Sequence, residues 1–268
     1  MYMLGLKGVM RDLLPPRLQV PIKYHYGRLR QELEPEMSLL PALVSRGDRV
    51  IDVGGNRGTY AYRLHALGAR VEVFEPNPVC LRVLRDWASH QAAVNVHAVA
   101  LSASSGTAEL AIPIDRVGIE HDASASIEHG IEQGDGTDVR VETVLIATLD
   151  GYGFRDATLI KIDVEGHEQS VIEGALLTIA ASLPALLIEI EQRHLAKPIG
   201  DIFARILALG YQGFFLRNDK LVPLAEFDPA RHQLLADFEG HTGQYYNNFL
   251  FLAAARLDAG AYRSLLTR

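Results

Sequence analysis

The chain has 268 residues, with 33 acidic against 26 basic side chains and a net charge of −7. That length can bury a full hydrophobic core, as one large domain or two small ones. The acidic balance, with no Lys/Arg cluster, argues against a nucleic-acid substrate, because phosphate binding needs concentrated positive charge. The lone Cys80 excludes an intrachain disulfide and fits a reducing compartment. Met1 to Pro16 mixes Leu, Val and Met with Lys7, Arg11 and Asp12, and lacks the uninterrupted apolar core and cleavage site of a signal peptide. No stretch approaches the roughly 20 apolar residues of a membrane span. The expectation is a cytoplasmic protein, with a short amphipathic N-terminal contact to a membrane or partner left open.

Residues 17–46 read as helical with interruptions, Tyr24–Leu33 and then Glu36–Val44 after Pro35. We take 1–45 as a helical cap segment before a main domain at 46–268. The first strand, Arg49–Val53, carries an acid, Asp52, and opens into a glycine-rich turn. Gly54, Gly55 and Gly58 let the backbone bend and approach a ligand, and Asn56 is the non-glycine residue best suited to a left-handed conformation. A helix over Tyr60–Leu67 completes a nucleotide-binding crossover of strand, turn and helix. A second acid, Glu75, ends the next strand (Val71–Glu75), about 20 residues on, where a carboxylate can receive two ribose hydroxyls.

Glycine spacing separates two cofactor classes. The dinucleotide fingerprint needs Gly at i, i+2 and i+5. From Gly54 those positions hold Asn56 and Thr59, and from Gly55 they hold Arg57 and Tyr60, so neither frame fits. The pattern Asp-x-Gly-x-Asn-x-Gly instead resembles the first motif of S-adenosylmethionine-dependent methyltransferases, whose cofactor carries an ammonium and a sulfonium and no phosphate.

After Pro76-Asn77-Pro78 the spacing predicts a helix over Val79–Ser89 and a strand over Val94–Ala100. Strand and helix alternate as in a parallel, doubly wound sheet. Residues 102–156 break the rhythm and read as an inserted region, with extended pieces at Thr107–Ile112 and Val139–Ile146. Between them lies a polar stretch, 115–138, long enough to be a lid over the acceptor, in which Ser124 and Ser126 are placed to touch a ligand. Alternation resumes with a strand at Thr158–Val164, a helix at Gln169–Ser182, a strand at Ala185–Glu191 and a helix at Ile199–Leu209. Tyr211–Arg217 and Asn248–Leu252 read as a closing antiparallel strand pair with a helix-poor connection between them.

The second unusual stretch is Lys161-Ile162-Asp163-Val164-Glu165-Gly166-His167-Glu168. Lys161, Asp163 and Glu165 would line one face of a strand that should be apolar on both. Burying such charges costs several kcal/mol apiece unless they pair or face a cleft. Lys161 can be a purely structural partner of Asp52 or Asp163. Asp163 to His167 should project beyond the C-terminal strand ends, where ligands bind in such sheets, and Glu189 and Glu191 could face the same cleft. The histidines show no zinc-ligand spacing.

With Ile51–Gly58 and Phe74-Glu75-Pro76-Asn77-Pro78, this stretch resembles the FkbM family of S-adenosylmethionine-dependent methyltransferases, over about residues 45–252. Gly55 departs from the family, which commonly has Ala there. The resemblance implies a Rossmann-like class I fold and O-methylation of a sugar, glycan or polyketide-type hydroxyl. Asp52, Gly54, Gly55, Asn56 and Gly58 would place the methionine end of the cofactor. Glu75 would hold the ribose, and Asn77 and Ala100 would flank the adenine. Asp163, Glu165 and His167 would carry catalysis, with His167 as base oriented by Glu165 or Glu168. No metal site is expected, although a divalent ion on Asp163 and Glu191 is a competing mechanism. The rival readings are a nucleotide-dependent oxidoreductase and a non-catalytic binding protein of the same fold.

Overall fold

Runs of Val, Ile, Leu and Phe bounded by Gly and Pro form the strands of a central eight-stranded sheet in the computed structural model. The structure describes residues 14–114, 126–127, 138–240 and 244–266. Five strands are parallel: β1 (Arg49–Val53), β2 (Arg70–Phe74), β3 (Val94–His97), β7 (Ala157–Ile162) and β8 (Ala185–Glu189). The antiparallel β9 (Tyr211–Arg217), β10 (Lys220–Pro223) and β11 (Asn248–Ala253) extend one edge, giving the order β10-β9-β11-β8-β7-β1-β2-β3. This is a class I methyltransferase fold, a doubly wound sheet with antiparallel strands at its C-terminal end.

Both sheet faces are buried. Ile51, Val53, Ile160, Ile162 and Phe249 pack on one side with Val171, Ile179 and Ile206. Val50, Val71, Val73 and Leu187 pack on the other with Leu64, Leu84 and Trp87. The second layer is roofed by α1 (Pro16–Arg30), whose Val20 and Tyr24 enter the core. It packs across α2 (Thr59–Ala66) and α3 (Pro78–Ala88). Strand order reverses between β1 and β7, so the crevice beyond their C-terminal ends is the expected ligand position.

Several elements differ from the sequence reading. Val94–Ala100 is not one strand. β3 stops at His97 because its neighbour β2 ends opposite at Phe74, and the chain turns so that β4 (Ala100–Leu101) joins a second sheet. There the inserted region forms an antiparallel hairpin, β5 (Gly106–Ile114) with β6 (Asp138–Ala147). The helix expected over Gln169–Ser182 is two helices, α4 (Glu168–Glu173) and α5 (Leu176–Ser182). They break beside Gly174, where a Cβ would run into the carbonyl of Ser102. The connection between β9 and β11 holds an extra strand, β10, and short helices at Pro229–His232 and Leu235–Gly240. Of the expected lid, only Ser126, Ile127 and Asp138, the first residue of β6, are described. Ser124 and the rest of that stretch lie outside the described residues. Among the described residues no helix is long and apolar enough to cross a membrane.

Candidate active site

The crevice holds a cavity of about 310 Å³ between the turns that follow β1, β2 and β7. In the first turn, Gly54 and Gly58 have φ of +78° and Asn56 has φ of +46°. Here glycine serves chain packing. A Cβ on Gly54 would strike the Asp163 carbonyl, and one on Gly55 would strike Val73. One on Gly58 would fall 2.8 Å from Leu84, so Gly58 shapes the start of α2 and is not part of the cavity wall. Gly55, the family departure, fills a position with no room for the common Ala. The turn is tied to α1 through Arg57 Nη1, which donates to Gln19 Oε1 at 3.0 Å.

Two buried acids stand on either side of this turn. Glu75 accepts from the backbone N–H of Asn56 at 2.6 Å and of Asn77 at 2.7 Å, one on each carboxylate oxygen. Asp52 is buried, and its Oδ2 has no hydrogen-bond partner. Burial pushes its pKa up to about 7, opposed by Lys161 and reinforced by Asp163. Asn77 caps α3 through its Oδ1 at 2.9 Å from Val79 N, and the cavity wall beside it is Pro76. Ala100 lines the opposite wall with Leu101, Leu110 and Ile127.

Lys161 is the hub of the site. It is Asp52's register partner across β1 and β7 and is 1 % exposed. Its ammonium donates to Asn248 Oδ1 at 3.3 Å, lies 3.7 Å from Asp163 and 4.0 Å from Glu189, and sits 5.0 Å from the centre of the Tyr60 ring. Burial opposes the charge, but Asp163, Glu34, Glu189 and Asp52 together hold the ammonium above its ordinary range. Tyr60 donates its hydroxyl to Glu34 at 2.6 Å, bringing the segment after α1 to the cavity edge. Lys161 was legible as the first residue of the 161–168 stretch, whereas Glu34, Tyr60 and Asn248 carried no motif that pointed to the site. Only the charged residue inside a parallel strand was a signal.

The catalytic candidates separate in space. β7 ends at Ile162, so the alternation of faces does not continue to Glu165, which sits in a left-handed turn with φ of +50°. Its carboxylate pairs with His194 Nδ1 at 2.6 Å, and this raises the pKa of His194. Its backbone carbonyl accepts from Ser126 Oγ at 2.9 Å. Asp163 remains part-exposed at the cavity mouth. His167 is buried and shares a hydrogen bond with Ser102 at 3.0 Å. Glu168 accepts from Gly166 N at 2.8 Å, and burial pushes its pKa up to about 7. The histidine that pairs with Glu165 is His194, which sequence reading missed because twenty-nine positions separate the two. Glu189 lines the cavity, whereas Glu191 accepts from Arg193 at 2.6 Å and from Tyr245. No cluster of three metal-ligating side chains forms among the described residues.

These features suit a ligand with a ribose at one end and a cation at the other. A carboxylate placed as Glu75 is can take two ribose hydroxyls, and the orphaned Asp52 oxygen can take an ammonium. The fold is that of class I methyltransferases, a class whose cofactor is S-adenosylmethionine. A family model, the methyltransferase FkbM domain, matches residues 52–214, and the chain belongs to that family. No curated protein matches the chain. Among solved structures, it is similar to a methyltransferase FkbM from Methylobacillus flagellatus KT, with 17% identity and a TM-score of 0.50. The match covers 91% of this chain and 57% of that one, so the chain spans little more than half of that structure's length. A TehB-like SAM-dependent methyltransferase from Corynebacterium glutamicum ATCC 13032 Kitasato matches with 14% identity and a TM-score of 0.40, covering 87% of this chain and 99% of that one.

Proposed function

We propose that the protein transfers a methyl group from S-adenosylmethionine to a hydroxyl of a small-molecule or glycan acceptor, of sugar or polyketide type, in the cytoplasm. One observation carries the reading: a single cavity is lined both by Asp52, a buried acid with an orphaned oxygen, and by Glu75, a second buried acid held by the Asn56 and Asn77 backbone. When bound, S-adenosylmethionine supplies an electrophilic methyl on a sulfonium. Glu75 holds the ribose hydroxyls, Asp52 receives the methionine ammonium, the Gly54–Gly58 turn shapes the path between them, and Ala100 flanks the adenine.

A hydroxyl is a poor nucleophile at neutral pH, so its proton must leave as the oxygen attacks. A positioned base contributes about 10²–10⁴-fold to such a step. Asp163, part-exposed beyond the end of β7, is placed to accept the acceptor hydroxyl. His167, held by Ser102 and lining the same cavity, takes the proton. Glu165 acts at the rim through its pair with His194. The test is turnover of labelled cofactor on a panel of glycosides by wild type, Asp163→Asn, His167→Ala and chelator-treated enzyme. Loss of about a hundredfold or more in kcat for both variants, with the demethylated product still bound, supports the reading. Near wild-type turnover in both variants, with activity abolished by the chelator, would transfer the role to a metal. Preferential binding of a nicotinamide dinucleotide would sink the methyl-transfer reading itself.

A further inference from the structure

α1 is apolar on two opposite faces, and among the described residues only one of them packs into the core. Val20, Tyr24 and Gly27 face inward and are buried. Leu18, Ile22 and Leu29, spaced four and seven residues apart, follow one stripe on the opposite side and are 43%, 43% and 82% exposed. Tyr26, 44% exposed, lies beside them. Single exposed apolar residues are ordinary, but three along one side of a helix, with His25 the polar residue between Ile22 and Leu29, form a patch of the kind that marks a partner surface.

Charge says which partner. The helix Pro16–Arg30 contains no acidic residue, although the chain as a whole carries −7. At 100° per residue, Arg17 and Arg28 fall on one flank of the stripe, and Lys23 and Arg30 on the other. The adjacent α3 adds exposed Arg82 and Arg85 beside α1. The nearby acids are Glu32, which pairs with Arg30 at 3.5 Å, Asp86, which accepts from Arg17 N, and Glu34, which accepts from Tyr60 and lines the cavity with Lys23. A stripe of Leu and Ile flanked on both sides by Lys and Arg is the pattern of a helix lying in a lipid interface, its apolar side chains in the acyl boundary and its cations at the headgroups. A Debye length of about 8 Å screens the acids elsewhere on the molecule from such a surface.

We infer that the outer face of α1 docks the protein onto an anionic lipid surface. Lys23 on this helix and Glu34 just after it also line the catalytic cavity, so docking brings the cavity mouth close to the headgroups. An acceptor anchored in or partitioned to the membrane would meet the site there.

The experiment is co-sedimentation of the full chain with vesicles of phosphatidylcholine alone and of equimolar phosphatidylcholine and phosphatidylglycerol. Binding should be confined to the anionic vesicles and weaken as salt rises. Arg28→Glu with Arg30→Glu should cut partitioning by about tenfold or more. Leu18→Ser, Ile22→Ser and Leu29→Ser together should abolish it while leaving the melting temperature and cofactor binding unchanged, since all three are exposed. Equal partitioning of wild type and both variants would overturn the inference. So would a dimer in sedimentation velocity that the serine variant dissolves, because a second copy would then be what covers the face. Vesicle binding is read without turnover, so its outcome is independent of the methyl-transfer reading.

Discussion

Asp52 is the residue whose environment most constrains the chemistry. Burial keeps its carboxyl protonated up to about pH 7 in the free protein, whereas a bound ammonium would favour the ionised form. Binding of S-adenosylhomocysteine, which keeps the ammonium, should therefore release a proton near neutrality. Its affinity should rise with pH until Asp52 is ionised and then level off. Calorimetry in buffers of different ionisation enthalpy measures that proton. Asp52→Asn should bind more weakly and lose the pH trend, and an unchanged trend would remove Asp52 from the ammonium site. Glycine substitutions separate strain from contact. Gly47 (φ +88°) has nothing within 4 Å of an added Cβ, so Gly47→Ala should cost about 1–2 kcal/mol of stability and leave binding alone. Gly54→Ala adds a collision with the Asp163 carbonyl to the same strain. It should lose cofactor binding as well as stability, read by urea unfolding and calorimetry. Asp52, Glu75 and the turn were legible because their chemistry sits within one local motif. The Glu165–His194 pair was not, because no local pattern links a turn after β7 to a residue past β8.

The second sheet touches the helical layer closely where Gly174, at the break between α4 and α5, meets the Ser102 carbonyl. Ser102 is also the hydrogen-bond partner of His167. Gly174→Ala, without any backbone strain of its own, should push Ser102 away, lowering both the melting temperature and kcat while sparing cofactor affinity. Gly200, at the start of α6 (Ile199–Ala208), is the control. It is helical with open space around it, so Gly200→Ala should gain about 0.5–1 kcal/mol. A kcat effect of equal size in both variants would break the link from Gly174 to the site. Periodicity located most elements to within a few residues. It failed where neighbours decide, as at the end of β3, which stops because β2 has ended beside it, and at the helix break, which the other sheet imposes.

At the scale of the molecule the site is an excess of acid around one buried cation. Burial raises the carboxyls of Asp52, Glu36 and Glu168 to about 7 from ordinary values of 3.8 or 4.5. A raised carboxyl binds its proton more tightly folded than unfolded, so its contribution is present at low pH and is lost as pH rises from the unfolded value through about 7. Glu72 and Glu191 run the other way. Burial opposes their charge, but His97 and Asn95, and Arg193 and Tyr245, hold them below their usual range. Their contribution is present above about 4.5 and is lost as pH falls through their folded values. The cofactor-free protein should therefore be most stable on the acid side of neutrality, between about pH 4.5 and 6, and calorimetric melting across that range is the check. A maximum at or above pH 7 would show that these acids are not buried in solution. Lys161→Met leaves Asp163, Glu189 and Asp52 facing one another without a cation. It should cost about 3–5 kcal/mol in urea unfolding at pH 7 and recover part of that at pH 5, where the raised acids are protonated. From the sequence alone came the strand-turn-helix with its two acids, the cofactor class and the charged stretch at 161–168, because each depends on residues close along the chain. Which charges meet was decided by the tertiary structure. Lys161, Asn248, Glu34 and Tyr60 are brought together by strand order and by the segment after α1, and burial, which sets their protonation, exists only once those elements pack.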